Sequence, residues 1–207
     1  MGKSKWGRII LLAMVLCLAV VSAASALSRN YKISGDMADD RDVSDSTGEA
    51  RYLLSSDNQN VVFMANRNAI NIYEVFSAPV TGGSVIRVNS PQLASERLIK
   101  DFKISPDGKY VVYVADQEVA GKWEIFRSPV GVLADSVKLN DEILDNDVKD
   151  FLITPDSQTV IYSTTNFKGD TKKLFYVDIH GENPPVAITN PPLLDVNAIL
   201  YSYSISD

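Results

Sequence analysis

The stretch Phe102-Lys-Ile-Ser-Pro-Asp-Gly-Lys-Tyr-Val-Val-Tyr-Val-Ala115 decides the fold of this chain. From Tyr110 onward it is apolar at both alternating positions, and it is rich in Val and Tyr, which strands prefer. A strand of a half-solvated sheet would alternate apolar with polar side chains. The sequence therefore predicts a strand that neighbouring sheets cover on both faces.

A turn precedes this strand. In Ser105-Pro106-Asp107-Gly108, proline presets φ, aspartate bonds nearby backbone amides, and glycine tolerates positive φ. Around the turn, apolar segments predict four short strands at Ile99–Ile104, Lys109–Ala115, Trp123–Val130 and Val137–Leu139.

The same pattern occurs three times along the chain. Segments beginning at Tyr52, Phe102 and Phe151 align with one another, at spacings of 50 and 49 residues. Three further apolar segments recur at constant offsets in each unit, so each unit is predicted to form four strands.

The motif from Phe102 to Tyr113, with weaker copies at 52–63 and 151–162, resembles the repeat of TolB-like β-propellers over residues 51–207. The resemblance implies an all-β fold, a partial β-propeller of about three four-stranded antiparallel blades. The expected blades are 51–101, 102–150 and 151–202, with the start of a fourth at 203–207. A ring typically needs four to eight blades, so we expect a fragment of a longer array; the alternative is that another copy covers the open faces.

The first 26 residues are predicted to form a signal helix. A basic leader precedes thirteen apolar residues from Ile9 to Val21, and Ala24-Ser25-Ala26 fits a cleavage site. A membrane span needs about 20 residues, so we expect cleavage, no span afterwards, and a periplasmic or secreted protein. The alternative is an uncleaved segment that anchors the chain. Residues 27–50 are polar and are predicted to be a solvated linker.

The chain is acidic, with 20 basic and 26 acidic residues and a formal charge of −6. Losing Lys3, Lys5 and Arg8 with the signal leaves 17 basic residues and a charge of −9. Such a surface repels phosphate backbones, so we expect no nucleic-acid partner. The single cysteine, Cys17, lies in the leader, so the mature chain would contain neither disulfides nor zinc–thiolate sites.

The residues that could carry chemistry have structural interpretations. His180 is the only histidine, and it aligns with a hairpin turn; the alternative is a catalytic base or ligand. Asp107 and Asp156 recur at equivalent turn positions, which indicates blade construction. No Gly-x-Ser-x-Gly pentapeptide is present for a serine nucleophile.

Two further groups of residues are candidate binding sites. The acidic loop between the second and third units could bind calcium, but it lacks the spaced ligands and glycine of a calcium loop, so a solvated loop is favoured. It comprises Asp141, Glu142, Asp145, Asp147 and Asp150. The repeated aromatic residues could stack on sugars, but their positions favour packing between blades. They are Trp123, Tyr73, Tyr113, Tyr162 and Phe175.

We therefore expect a non-catalytic extracytoplasmic scaffold with no catalytic, cofactor-binding or metal residues and no cofactor. Its expected partners are proteins, with self-association through unclosed blade faces as a further expectation. Prolyl-oligopeptidase-type enzymes have propeller domains that resemble these repeats, so one alternative is the propeller portion of a larger serine peptidase of that type. A second alternative is a glycan- or calcium-binding module.

Overall fold

The computed structural model describes residues 32–90, 98–140, 146–166 and 172–188. The chain divides into two compact units, Met1–Lys32 and Ile33–Asp207. Of the first unit only Lys32 is described, so the predicted signal helix lies outside the described residues. Within the four described ranges, no helix is long and apolar enough to cross a membrane.

The described part of the second unit is all-β and forms three four-stranded antiparallel sheets, in each of which the strand order follows the chain. Blade 1 contains β1 (Tyr52–Leu54), β2 (Asn60–Ala69), β3 (Ile72–Pro79) and β4 (Ile86–Arg87). Blade 2 contains β5 (Ile99–Ile104), β6 (Tyr110–Ala115), β7 (Glu124–Pro129) and β8 (Val137–Lys138). Blade 3 contains β9 (Asn146–Ile153), β10 (Thr159–Asn166), β11 (Lys172–Asp178) and β12 (Val186–Ala187). The predicted fold of about three four-stranded antiparallel blades is confirmed.

The strand register places three aromatic side chains in a row across each blade. In blade 2, Phe102 lies opposite Tyr113, which lies opposite Phe126. The second and third members of the row stack in every blade, with ring centroids 5.8, 5.6 and 5.4 Å apart. Because opposite residues share one face of a sheet, each blade has an aromatic face.

Both faces of β6 are buried between blades. Val111 and Tyr113 pack in one core with Val62 of blade 1, whereas Val112 packs in another core with Tyr162 of blade 3. Blade 2 is therefore sandwiched between its neighbours, with its aromatic face toward blade 1. The prediction that this strand is covered on both sides is confirmed.

The aromatic face of blade 1 is covered by residues 33–44, which we call the cap segment. Ile33, Met37 and Val43 pack against the core that contains Phe63 and Phe76. This differs from the solvated linker expected for residues 27–50. These three apolar side chains are dispersed among acidic ones, so they form no recognisable strand pattern in the sequence. In the structure, each of them packs against this core.

Hydrogen bonds to β2 hold the cap segment on blade 1. Arg67 Nη1 donates to the carbonyl oxygens of Ser34 and Asp36, at 2.7 and 2.9 Å. Asn66 Oδ1 accepts from Asp42 N at 2.7 Å, and Asn66 N donates to Asp42 O at 3.2 Å. These bonds satisfy backbone groups that strand pairing would otherwise satisfy.

The turns between the first and second strands have the same conformation in all three blades. Their fourth residues, Asn58, Gly108 and Ser157, have φ of 57°, 75° and 62°. The turns of blades 1 and 3 lack this glycine, so their sequences specify the positive φ less strongly. In blade 3 a contact between blades supports the strained residue, because Ser157 Oγ accepts a hydrogen bond from Asp107 N at 2.9 Å.

Candidate functional site: the turns and junctions of the blades

The turn aspartates Asp57, Asp107 and Asp156 each organise one turn. In blade 2, Ser105 Oγ donates to Asp107 Oδ1 at 2.6 Å, and Lys109 N donates to the same oxygen at 3.1 Å. The equivalent hydroxyl bonds in blades 1 and 3 are 2.5 and 2.6 Å long, and the equivalent amide bonds are 2.9 and 3.0 Å long. These carboxylates are therefore occupied in building the turns.

Hydrogen bonding lowers the pKa of each turn aspartate below its ordinary value. For Asp57 and Asp156 the largest cause is the hydroxyl at the first turn position, followed by the amide two residues after the aspartate. For Asp107 the largest single influence is partial burial, which raises the pKa, but the hydrogen bonds from Ser105 and Lys109 outweigh it.

Stability is expected to fall below about pH 4 as these three carboxylates become protonated. A group whose pKa is lower in the folded state stabilises the fold above its unfolded pKa, about 3.9 for Asp, and that contribution is lost as the pH falls through the folded value. The measurement is Tm between pH 7 and pH 3 for the wild type and for an Asp57→Asn, Asp107→Asn, Asp156→Asn triple variant. The triple variant should show a shallower decline; parallel curves would contradict the assignment.

His180 lies in an exposed turn after β11, where the sequence analysis located it. Its backbone amide donates to Asp178 Oδ1 at 3.0 Å. Its ring makes an edge contact with Tyr110, with centroids 5.6 Å apart. Arg127 lies over the Tyr110 ring at 4.9 Å and donates to His180 O at 3.0 Å. The cluster thus joins blade 2 to blade 3.

The acidic loop is only partly within the described residues: Asp141, Glu142 and Asp145 lie outside them. Asp147 accepts a hydrogen bond from Trp123 N at 3.2 Å, and it forms an ion pair with Lys149. Among the described residues, no group of three or more His, Cys, Asp or Glu side chains is arranged to hold a metal.

The repeated aromatic residues pack within and between blades. Tyr73 packs against the core shared by blades 1 and 2, and Trp123 packs against the core shared by blades 2 and 3, which also contains Tyr162 and Phe175. Tyr113 is fully buried, and burial raises the pKa of its phenol to about 12. These rings therefore contribute to the packing within and between the blades.

Cations connect the first strands of successive blades. Arg51 donates to Lys100 O at 3.2 Å and forms an ion pair with Asp101. In the next junction, Lys100 Nζ donates to Lys149 O at 2.8 Å, and Lys103 Nζ donates to the carbonyl of Phe151. Each of these carbonyls thereby receives a charged donor from the preceding blade.

The same cations lie over the aromatic rings of the first strands. The guanidinium of Arg51 is 5.4 Å from the centre of the Phe102 ring, and Lys103 Nζ is 4.6 Å from the centre of the Phe151 ring. Phe102 and Phe151 are only 3% and 1% exposed, whereas the equivalent Tyr52 is 66% exposed. Within the described part of the chain, the first strand of blade 1 therefore lacks the covering that the other two have.

A buried carboxylate recurs at the start of the third strand in blades 1 and 2. Glu74 forms an ion pair with Arg87 at 3.2 Å and accepts a hydrogen bond from Asn68 at 2.5 Å. Glu124 is fully buried and lies 2.5 Å from Lys138 Nζ. Arg87 and Lys138 occupy equivalent positions in the fourth strands, opposite Phe76 and Phe126.

Sequence reasoning missed the charged residues of these junctions. Glu74 and Glu124 recur 50 residues apart, so the repeat period did mark this pair. The charged residues were missed because strands are predicted from their apolar residues, and that pattern assigns no role to charged side chains.

No protein-family model and no curated protein sequence matches the chain. Similar solved structures include an Agrobacterium tumefaciens protein assigned as TolB, at 15% identity and a TM-score of 0.47, covering 70% of this chain and 51% of that one. Prolyl oligopeptidase B from Galerina marginata is similar at 15% identity and a TM-score of 0.48, covering 69% and 23%. The β-propeller domain of the Trilobed protease from Pyrococcus furiosus is similar at 18% identity and a TM-score of 0.42, covering 65% and 40%. The chain thus spans about half the length of the first structure and less of the other two.

Proposed function

We propose that this chain is a non-catalytic scaffold of stacked β-blades that binds other proteins outside the cytoplasm. The proposal rests on one observation: the polar side chains that could perform chemistry have structural roles in the blades. Asp57, Asp107 and Asp156 hold turns, His180 helps to join two blades, and the first-strand cations hold blade junctions. Side chains that could perform chemistry are thus engaged in maintaining the fold.

The loops at the ends of the blades supply apolar surface for a partner. Ile70 and Val119 are exposed in the hairpins between the second and third strands of blades 1 and 2. Leu133 is exposed in the loop between β7 and β8. Loops held by a rigid sheet framework are common positions for binding residues, so these three positions are the proposed contacts.

The extracytoplasmic location rests on the leader pattern of residues 1–26. Cell fractionation of the tagged full chain tests it. We expect an extracytoplasmic product shortened by the leader. A full-length cytoplasmic product would contradict the proposed location.

Self-association is the second part of the proposal, and blade 3 is the surface for it. Tyr176 and Val186 are exposed on this blade, whereas the cap segment covers Phe63 and Phe76 of blade 1. Light scattering over a concentration series should show a dimer that Tyr176→Ser weakens. A monomer at every concentration would contradict this part.

Site-specific photo-crosslinking in the native host tests the scaffold proposal. A photo-reactive amino acid is placed at Ile70, Val119 or Leu133, and at Lys109 as an exposed polar control. We expect Ile70 and Val119, which lie in equivalent hairpins at one end of the blades, to give discrete crosslinks to a common protein. Leu133 tests the opposite end, and Lys109 should give no crosslink. Absence of crosslinks at all three apolar positions, or hydrolysis of peptides by the purified chain, would contradict the proposal.

A further inference from the structure

We propose that β1 is a docking strand for an extended polypeptide segment that carries a lysine or arginine beside apolar residues. The inference rests on the scaffold function proposed above and names one surface and the chemistry of its partner. Its starting point is exposure: Tyr52, Leu53 and Leu54 are 66%, 39% and 52% exposed. An exposed apolar edge strand is a ready template for pairing with another chain.

The other two blades show what occupies the equivalent position. Phe102 and Phe151 each have a cation of the preceding blade over the ring, Arg51 at 5.4 Å and Lys103 at 4.6 Å. Both cations also reach a backbone carbonyl of the strand that they cover. The arrangement therefore combines a cation–π contact with a charge-assisted hydrogen bond at a strand edge. By analogy with Phe102 and Phe151, we expect the partner of Tyr52 to be an extended segment that places a cation over the Tyr52 ring.

The cap segment covers the core of the aromatic face of blade 1 but leaves β1 exposed. Its apolar side chains contact the core around Phe63 and Phe76, which belong to β2 and β3. The first strand, β1, remains exposed along its whole length of three residues. Because the exposed surface is that of one short strand, a single extended segment is the partner that we assign to it.

The charge of the segment that precedes β1 favours a basic partner. Residues 33–50 carry six acidic side chains against one basic side chain, Arg41. Arg51 is already paired with Asp101, so it adds little repulsion. An acidic segment of this kind attracts a cationic partner and raises its rate of association.

A peptide copy of β5 is the probe, because that strand brings Lys103 over an aromatic ring in the folded chain. The labelled peptide Leu-Ile-Lys-Asp-Phe-Lys-Ile-Ser, residues 98–105, is titrated against the full chain by fluorescence anisotropy. We expect saturable binding that weakens about fivefold or more when the peptide carries Lys103→Glu. Equal binding of the two peptides, or no binding, would overturn the proposal.

Variants of the protein test whether the peptide binds at β1. Tyr52→Ala should weaken binding of the peptide about fivefold or more, and Tyr52→Phe should retain it, because the aromatic face is what the cation contacts. Val132→Ala is the control, an exposed apolar residue in the loop between β7 and β8 whose loss should leave Kd unchanged. Thermal melts verify that the variants fold. An unchanged Kd for Tyr52→Ala would overturn the proposal.

Two outcomes distinguish the docking strand from self-association and from the scaffold function proposed above. A dimer that Tyr52→Ala dissociates would assign β1 to a second copy and overturn the basic segment as its occupant. Photo-crosslinks from Ile70, Val119 and Leu133 do not involve β1. If they persist while the peptide fails to bind, the docking strand is wrong and the scaffold stands; if they are absent, the scaffold itself fails.

Discussion

Replacing Phe151 with alanine is expected to lower the free energy of unfolding by about 3–5 kcal/mol. Its side chain is 1% exposed in the core between blades 2 and 3, so truncation removes buried apolar area and leaves a cavity. The change also removes the ring beneath Lys103 Nζ, 4.6 Å from its centre. Urea denaturation of the purified chain, followed by circular dichroism, measures the difference.

The other two copies of this position are matched controls. Phe102→Ala should cost a similar amount, because Phe102 is 3% exposed and packs in the core between blades 1 and 2. Tyr52→Ala should change stability by less than about 0.5 kcal/mol, since surface substitutions usually do. A Tyr52→Ala variant that loses as much stability as Phe151→Ala would show that β1 is covered and would contradict its described exposure.

Replacing Lys138 with methionine is expected to cost about 3 kcal/mol, because it removes the nearest cation from a fully buried carboxylate. Glu124 would keep only Lys122, at 3.5 Å. Its Oε2 atom has no hydrogen-bond partner among the described residues, so little else offsets its desolvation. Chemical denaturation of the variant measures the loss.

A double-mutant cycle distinguishes the pair from general packing. Glu124→Leu in the Lys138→Met background should recover most of the lost stability, because an apolar pair of similar volume replaces a buried ion pair at little cost. The equivalent change in blade 1, Arg87→Met, should cost less, because Asn68 continues to donate to Glu74. Additive effects of the two blade 2 substitutions would contradict a direct interaction.

The pH dependence of this pair has the opposite sign to that of the turn aspartates. Partial burial alone would lower the pKa of Lys138, but hydrogen bonds to Glu124 and Glu118 raise it above its ordinary value. A raised folded pKa gives stability that is fully present below the unfolded pKa, about 10.4, and is lost as the pH rises through the folded value. The contribution of Lys138 is therefore lost above about pH 10, whereas that of the turn aspartates is lost below about pH 4.

The strands and turns could be predicted because their signals are local. The predicted strand Ile99–Ile104 has the same bounds as β5, and the second predicted strand begins one residue before β6. Consecutive apolar residues at Val111 and Val112 predicted burial on both faces, and the structure confirms it. His180 lies in an exposed turn, as its alignment with the earlier units predicted.

The exposure of Tyr52 and the position of the cap segment could not be predicted in this way. Tyr52 aligns with Phe102 and Phe151, and nothing in the repeat distinguishes an aromatic residue with a neighbouring blade from one without. Ile33 and Met37 stand alone among polar residues, so no period marks their burial. Both facts depend on which surfaces meet after the blades have formed.

By itself, the sequence determined the number of described blades, the four strands within each, and the turns that aspartate organises. These features follow from apolar period and turn chemistry within about 50 residues, so short-range preferences are sufficient to specify them. Only the tertiary structure decided that Arg51 and Lys103 cover rings of the next blade, that Glu74 and Glu124 are buried with cations, and that β1 stays open. The physical reason is that such contacts depend on the stacking of one sheet on another, which brings together side chains that no local pattern connects.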